Sequence, residues 1–258
     1  MDAATREEAG QRGRTPVSVC LATFNGLTYL PEQLESILVQ LGPSDEVVVV
    51  DDASTDGTVE WLRTHPDPRV QVEVNPRNCG HVATFMKALS LVHGEVVFLS
   101  DQDDVWLPGR VDAMQAALAH AHVVATNFVE FGDVKGAKLP PLQAWDSGRG
   151  VVNVLGIFLG RRAYFGCAMA VRGDFLAAVL PVPGFMAAHD LWIALMGNVA
   201  GRVVHLEEPT IRRRLHGGNL TPQRRRGWPA VLATRVGFVR AVLIALARRS
   251  RVRRISAP

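Results

Sequence analysis

The chain is short of the features that would place it outside a reducing compartment or across a membrane. Its 258 residues include three cysteines, Cys20, Cys79 and Cys167, far apart and without a Cys-x-x-Cys pair. That usage points to a reducing compartment and away from a zinc site. No apolar run reaches the roughly 18 residues of a membrane span. The first residues are polar, with Arg6, Glu7, Glu8, Arg12 and Arg14, and lack the apolar centre of a signal peptide. Residues 1–15 therefore read as a disordered leader. Without a secretory signal, the sequon at Asn219-Leu220-Thr221 is read as chance. Three signatures are missing as well. The lack of Gly-x-Gly-x-x-Gly argues against a dinucleotide oxidoreductase. The lack of Gly-x4-Gly-Lys-Ser/Thr argues against a P-loop enzyme, and no Gly-x-Ser-x-Gly elbow occurs.

What is present is an ordinary globular composition, 48% apolar and 21% charged, long enough for one α/β domain. The net charge of +3 is unevenly spread. Arginines crowd the stretch from Arg212 to Arg254, and acidic clusters mark the first half. Short apolar runs at Val17–Ala22, Glu46–Val50, Val70–Val74, Glu95–Leu99 and Val123–Phe131 read as strands. Between them lie amphipathic stretches such as Tyr29–Leu41, with Leu30, Leu34, Ile37, Leu38 and Leu41 on one stripe, and Gly80–Val92. Asp56-Gly57 and Pro108 read as the starts of two further helices. Continuous apolar strands alternating with helices predict a mostly parallel central sheet covered on both faces, with ligands bound beyond the strands' carboxyl ends. Residues 135–166, rich in Gly and Pro, are expected to be loops. Cys167–Val171 and Val203–Leu206 read as later strands, and Ala187–Val199 as a helix.

The acids sit at strand ends. Asp101, Asp103 and Asp104 follow the run Val96–Ser100. In extended backbone, residues i and i+2 point the same way, so Asp101 and Asp103 are expected to converge and Asp104 to face elsewhere, in the turn. Converging carboxylates repel unless a cation sits between them, and hard oxygen ligands favour Mg2+ or Mn2+. In Asp51-Asp52-Ala53-Ser54-Thr55-Asp56-Gly57, the residues Ser54, Thr55 and Asp56 read as cap formers. Asp52 reads either as part of that turn or as an acceptor for the imide N–H of a pyrimidine base. Asn78-Cys79-Gly80 is either a plain turn or a helix entrance that attracts phosphate. Asp190 is either a helix cap or a general base, and His189 beside it fits a surface position. Arg212–Asn219, with His216, is either a solvated basic loop or one that folds over a diphosphate. From Trp228 to Ile255 apolar and basic residues alternate, which fits a membrane-surface helix attracted to anionic lipid or a helix packed on the domain.

In order, SVCLATFNG (Ser18–Gly26), VVVDDASTDGT (Val48–Thr58), NCG (Asn78–Gly80), FLSDQDDVWLP (Phe98–Pro108), HDLW (His189–Trp192) and RRRLHGGN (Arg212–Asn219) resemble a family 2 glycosyltransferase with the GT-A fold. The DQDDVW form, with HDLW and the late His-Gly-Gly-Asn, is most similar to bacterial rhamnosyltransferases. The resemblance implies a GT-A domain over residues 16–222 and a basic amphipathic tail over 223–258. It implies donor contacts at Thr23, Asn25, Asp52, Asn78, Gly80, Asp101 and Gln102. Asp101 and Asp103 match the metal-binding DXD, and His216 joins them. Asp190 matches the catalytic base. Phe24 stands where the family often has Tyr, and Thr84 where it often has Asn. The QxxRW motif of processive members is missing, so transfer of single sugars is expected.

The implied reaction is an inverting transfer from a nucleoside-diphosphate sugar, dTDP-L-rhamnose foremost, to a hydroxyl of a glycan or lipid-linked acceptor in cell-surface polysaccharide synthesis. The expected setting is cytoplasmic or peripheral at the inner face of the plasma membrane, without nucleic acid. Two rivals are a sugar nucleotidyltransferase and a non-catalytic membrane-associated scaffold. The first would open with a Gly-rich loop after the first strand, which Thr23-Phe24-Asn25-Gly26 is not. The second would not need Asp103 and Asp190.

Overall fold

The computed structural model describes residues 15–134, 140–218 and 228–255. All of the expected leader except Thr15, the boundary at residue 222, and Asn219 with its sequon lie outside the described residues. The first half is a regular alternation: β1 (Val17–Thr23), α1 (Leu30–Leu38), β2 (Glu46–Asp51), α2 (Thr58–Arg63), β3 (Val70–Val74), α3 (His81–Leu91) and β4 (Val96–Ser100). The second half is less regular: β5 (Val105–Trp106), α4 (Arg110–Leu118), β6 (Val123–Gly132), α5 (Gly150–Phe158), β7 (Met169–Arg172), α6 (Leu176–Val179), α7 (His189–Val199), β8 (Val203–Leu215) and α8 (Trp228–Ile255).

These strands form one sheet in the order β3-β2-β1-β4-β7-β6-β8-β5. From β3 to β4 every pairing is parallel, as the apolar runs predict. Beyond β4 the sheet is mixed. β7 runs antiparallel to both β4 and β6, β6 and β8 are parallel, and β5 is antiparallel to β8. Alternation along each strand splits the core between the two faces. Val19, Leu21, Val47, Val49 and Phe98 meet Leu30 and Leu34 of α1 and Met114 of α4. Cys20, Val48, Val50, Val97 and Leu99 meet Phe85 of α3 and Trp192 of α7. Two apolar faces explain why these strands read as unbroken hydrophobic runs.

Four expectations need correction. The stretch 135–166 is not all loop, because α5 lies within it. Asn153 and Ile157 of α5 are buried, and the Asn153 amide donates to Asn198 Oδ1 at 2.8 Å. Gly150, which reads as a loop residue, serves close packing: a Cβ there would lie 2.1 Å from the Asn198 carbonyl oxygen. The basic segment after Arg212 does not begin as a loop, since Arg212–Leu215 belong to β8. Pro108 precedes α4 rather than opening it, and Gly109 takes the cap with φ of 77°. His189 is buried rather than on the surface.

α8 packs one face on the domain through Phe238, Ala241, Ala245 and Val252. Arg248 Nη1 donates to the carbonyls of Val179 at 2.8 Å and Pro181 at 2.9 Å. Among the described residues no helix is long and apolar enough to cross a membrane.

Candidate active site

The carboxyl ends of β1, β2 and β4 open into a cavity of about 410 Å3. Thr23, Phe24, Asp52, Asn78, Gly80, Thr84, Asp101, Gln102, Asp103, Asp104, Arg213 and His216 all line it. Of these twelve residues, ten come from the first half of the chain up to the end of β4 and its following turn, and two, Arg213 and His216, come from β8 and the residue after it.

One wall is built around Asp52. Its Oδ1 accepts from Asn75 Nδ2 and the Cys79 N–H, and its Oδ2 from the Gly80 N–H, each at 2.8 Å. Burial pushes this carboxyl up, but the bonds from Cys79, Asn75 and Gly80 outweigh it and hold it below the usual carboxylate range. The Cys79 and Gly80 amides therefore point at Asp52 rather than out toward a phosphate. Thr84 joins the same network, accepting from Asn75 Nδ2 at 3.3 Å.

The floor between β1 and β4 is braced by Gln102. Its Oε1 accepts from Thr23 Oγ1 and from the Phe24 N–H, both at 2.7 Å, and its Nε2 donates to the Phe24 carbonyl at 3.1 Å. A side chain at Gly26 would collide here, with a Cβ 2.5 Å from Gln102 Oε1. Asn25 does not line the cavity. It sits at φ 49°, a conformation Asn tolerates. Its Oδ1 accepts from the Thr55 N–H and its own N–H donates to Ser54 Oγ, both at 2.8 Å. The residues read as cap formers are spent on the turn and on the loop after β1, while Gly57 takes the cap of α2 with no side-chain cap bond. Asp51 accepts from Ser54, and Asp56 from Thr58 and Leu27.

The opposite wall holds the acids. β4 ends at Ser100 and the chain bends at once, so the two-residue alternation does not carry on to Asp104. Asp104 is corrected from a turn residue to a buried one. Its Oδ1 accepts from the Arg214 N–H of β8 at 2.8 Å. Ligand atoms of Asp101, Asp104 and Cys167 lie within 4.8 Å of one another. Asp101 is pushed well above the usual range by burial and then by the charges of Asp103, Asp104 and Asp190. Asp104 is raised to about 6 by burial and the charge of Asp103. Asp103 points differently and meets His216, whose Nε2 lies 2.7 Å from its Oδ2. The His216 ring packs on Tyr29 with centroids 4.7 Å apart. Arg214 ties this corner together, donating from Nε to the Asp103 carbonyl at 2.9 Å and pairing with Glu32 at 2.5 Å.

The donor set fits a hard divalent cation. Burial and neighbouring carboxylate charge raise Asp101 and Asp104 although Arg213 pulls both back, and clustered carboxylate oxygens suit Mg2+ or Mn2+. Among the described residues Asp101 clusters with Asp104 and Cys167 and Asp103 is engaged with His216, so the expected set Asp101, Asp103 and His216 does not stand as one cluster. Cys167 is a softer group, and burial pushes its thiol well up. No sequence signal pointed to Cys167, which a short turn before β7 brings in.

Asp190 stands in the first turn of α7, not among the cavity-lining residues. Its Oδ2 accepts from the Gly166 N–H at 3.1 Å and its Oδ1 from the Leu191 N–H at 2.6 Å. Its charge is felt at Asp101, so the two groups share one field. His189 stacks on Phe85, a cavity residue, with centroids 3.9 Å apart. Neither His189 ring nitrogen has a hydrogen-bond partner among the described residues, and burial lowers its pKa to about 4. Arg213 was missed as an individual residue. It faces the cavity with its guanidinium 4.6 Å from the Phe165 ring centroid. Had the expected strand Val203–Leu206 been carried on to Leu215, where β8 ends, its alternation would have separated Arg213 from Arg212 and Arg214.

A parallel half-sheet with nucleotide-sized space at its carboxyl edge, extended by a mixed half bearing a second acid, is the architecture of GT-A glycosyltransferases. TarS of S. aureus, solved in complex with UDP, superposes with a TM-score of 0.67 at 20% identity over 92% of this chain and 69% of that one. The mannosyltransferase PcManGT of Pyrobaculum calidifontis, solved with GDP-Man and Mn2+, superposes with a TM-score of 0.60 at 20% identity over 96% and 77%. The chain belongs to glycosyl transferase family 2, whose model matches residues 18–177. It is 35% identical over 134 residues to EpsE of Bacillus subtilis (strain 168), named as a glycosyltransferase, covering 48% of each chain. It is 33% identical over 113 residues to the succinoglycan biosynthesis protein ExoO of Rhizobium meliloti (strain 1021), covering 43% of this chain and 32% of ExoO. These matches span half or less of each relative's length.

Proposed function

We propose that the protein transfers a single sugar, with inversion, from a nucleoside-diphosphate sugar to a hydroxyl of a glycan or lipid-linked acceptor. The observation that carries this reading is the pairing of two unlike acidic walls across one cavity. Asp52, held ionised by amides, suits the base of the donor. Asp101 and Asp103, the latter engaged with His216, suit the metal of its diphosphate. Mg2+ or Mn2+ bound there would neutralise charge on the departing nucleoside diphosphate. Thr23, Asn78, Gly80 and Gln102 shape the donor cavity, and Asn25 sets the loop that carries Phe24. Arg213 adds fixed positive charge near the leaving group.

Asp190 is the proposed general base. Each of its oxygens already accepts one backbone N–H, which fixes the carboxylate and leaves lone pairs for an acceptor hydroxyl. The hydroxyl loses its proton to Asp190 as it attacks the anomeric carbon from the face opposite the diphosphate. The donor we favour is dTDP-L-rhamnose, supported by the DQDDVW and HDLW segments. The name of ExoO supports a role in polysaccharide synthesis, and the inner face of the plasma membrane is where a lipid-linked acceptor would be met.

Thermal shift with UDP-, GDP- and dTDP-sugars, with and without Mn2+, tests the donor site. One donor class is expected to raise Tm only when the metal is present. Asp190→Asn is expected to keep that shift and to lose transfer by about a thousandfold or more. No shift with any nucleotide sugar would sink the reading. Near-normal transfer by Asp190→Asn would remove the base assignment alone.

A further inference from the structure

α8 is apolar on two opposite faces, and only one of them is used. Phe238, Ala241, Ala245 and Val252 face the domain. On the far side Val236, Val239, Leu243 and Leu246 stay exposed, Val236 by 63% and Leu243 by 62%. At 3.6 residues per turn these four fall within an arc of about 80°. α5 repeats the pattern. Val151, Val152, Leu155 and Leu159 are exposed, Val151 by 76%, opposite the buried Asn153 and Ile157. The two helices meet: Phe158 and Phe238 ring centroids lie 5.9 Å apart, and the Arg235 guanidinium sits 4.9 Å from the Phe158 centroid. Both pack on α7, the helix that carries Asp190.

The exposed charge beside these stripes is arginine. Arg240, Arg249, Arg251 and Arg254 are exposed on α8, and Arg149 and Arg161 bracket α5, Arg149 pairing with the buried Asp146 at 3.2 Å. Neither helix contains an acidic residue. A protein partner could match apolar stripes alone. Apolar stripes rimmed by arginine match a surface with hydrocarbon below and negative charge above. We propose that α5 and α8 together form a docking surface for an anionic lipid bilayer. The helices would lie along it, with the apolar stripes below headgroup level and the arginines among the phosphates. The surface backs onto α7, so docking would hold the candidate base at a set height above the bilayer. That purpose rests on the lipid-linked acceptor proposed above; the docking itself does not.

Vesicle co-sedimentation of the full chain, without donor or acceptor, tests it. Phosphatidylcholine vesicles containing phosphatidylglycerol are expected to retain the protein, pure phosphatidylcholine vesicles to retain much less, and added salt to release it. Leu155→Glu and Leu243→Glu, both at exposed positions, are each expected to weaken retention about tenfold. Their Tm and their nucleotide-sugar shift should stay at the parent values. Equal retention on both vesicle types, or none, overturns the proposal. A silent Leu155→Glu beside an active Leu243→Glu overturns the part of α5. If the same variants instead turn an oligomer into a monomer, the stripes are covered by a second copy and the lipid assignment falls. Loss of sugar transfer with retention intact would count against the enzymatic reading only.

Discussion

Asp52 and Asp104 are both aspartates near the end of a buried strand, both almost fully buried, and both beside the same cavity. Their surroundings give them opposite characters. Three N–H donors converge on Asp52, and its charge is welcome. Asp104 receives one backbone N–H and faces Asp103 and Asp101, and its charge is resisted. Burial alone raises a carboxyl's pKa in either place; the count of donors against neighbouring carboxylates decides the net sign. One wall is complete within the protein. The other is left with excess negative charge, which is what a cation site requires.

Substitutions can break this comparison. The largest effect is expected at the unfinished wall. Asp103→Ala should weaken Mn2+-dependent donor binding by about 100-fold or more, read by calorimetry with and without the ion. Unchanged affinity would mean that the acidic wall does not hold the metal. Next, Asp52→Asn should lower stability by about 1–3 kcal/mol, because the amide NH2 at either position would face at least one N–H that now donates there. Asp104→Asn should move stability the other way in metal-free protein, upward by on the order of 2 kcal/mol. Urea unfolding of both variants checks the pair, and shifts of equal sign would refute the contrast.

The pH dependence follows the same signs. Asp104 has a folded pKa of about 6 against an ordinary 3.8, so the folded state binds more protons between those values. Its effect is to lower stability as pH rises through that window. Asp52 has a lowered folded pKa, so its contribution is complete above the ordinary carboxylate pKa and is lost as pH falls through the folded one. Without divalent ions, Asp104→Asn should flatten the decline in urea midpoint between about pH 4 and about pH 6. The smallest effect is expected at Ala53, held at φ 65°. Ala53→Gly should raise Tm slightly, by no more than about 1 kcal/mol of stability, since left-handed backbone strains a Cβ. A drop in Tm would show that the methyl group contributes packing that outweighs the strain.

The parallel half of the fold was readable because its rules are local. Apolar runs such as Val47–Val50 and stripes such as Leu30, Leu34 and Ile37 state which sides of each element are buried. Ser54 and Asp56, read as cap formers, bond nearby Asp51 and Thr58 and also hold the Asn25 and Leu27 amides, while Gly57 takes the cap of α2 without a side-chain cap bond. The mixed half was not readable in the same way. Gly150 looks like a loop residue until the Asn198 carbonyl comes close to it, and nothing near it in the chain announces that approach. Arg212–Leu215 look like a basic loop until β6 pairs with them.

By itself the sequence determined the alternation of strands and helices, the rim on which acids collect, and the family to which the ordered motifs belong. Tertiary structure alone decided where each acid faces. Asp104 turned inward because β8 delivers the Arg214 N–H to it from 110 residues away. Cys167 and Asp190 reached the acids only through the turn before β7 and the packing of α7. A strand's alternation fixes side-chain direction only as long as the backbone stays extended. Past the strand's end, direction is set by whichever distant segment supplies the hydrogen bonds.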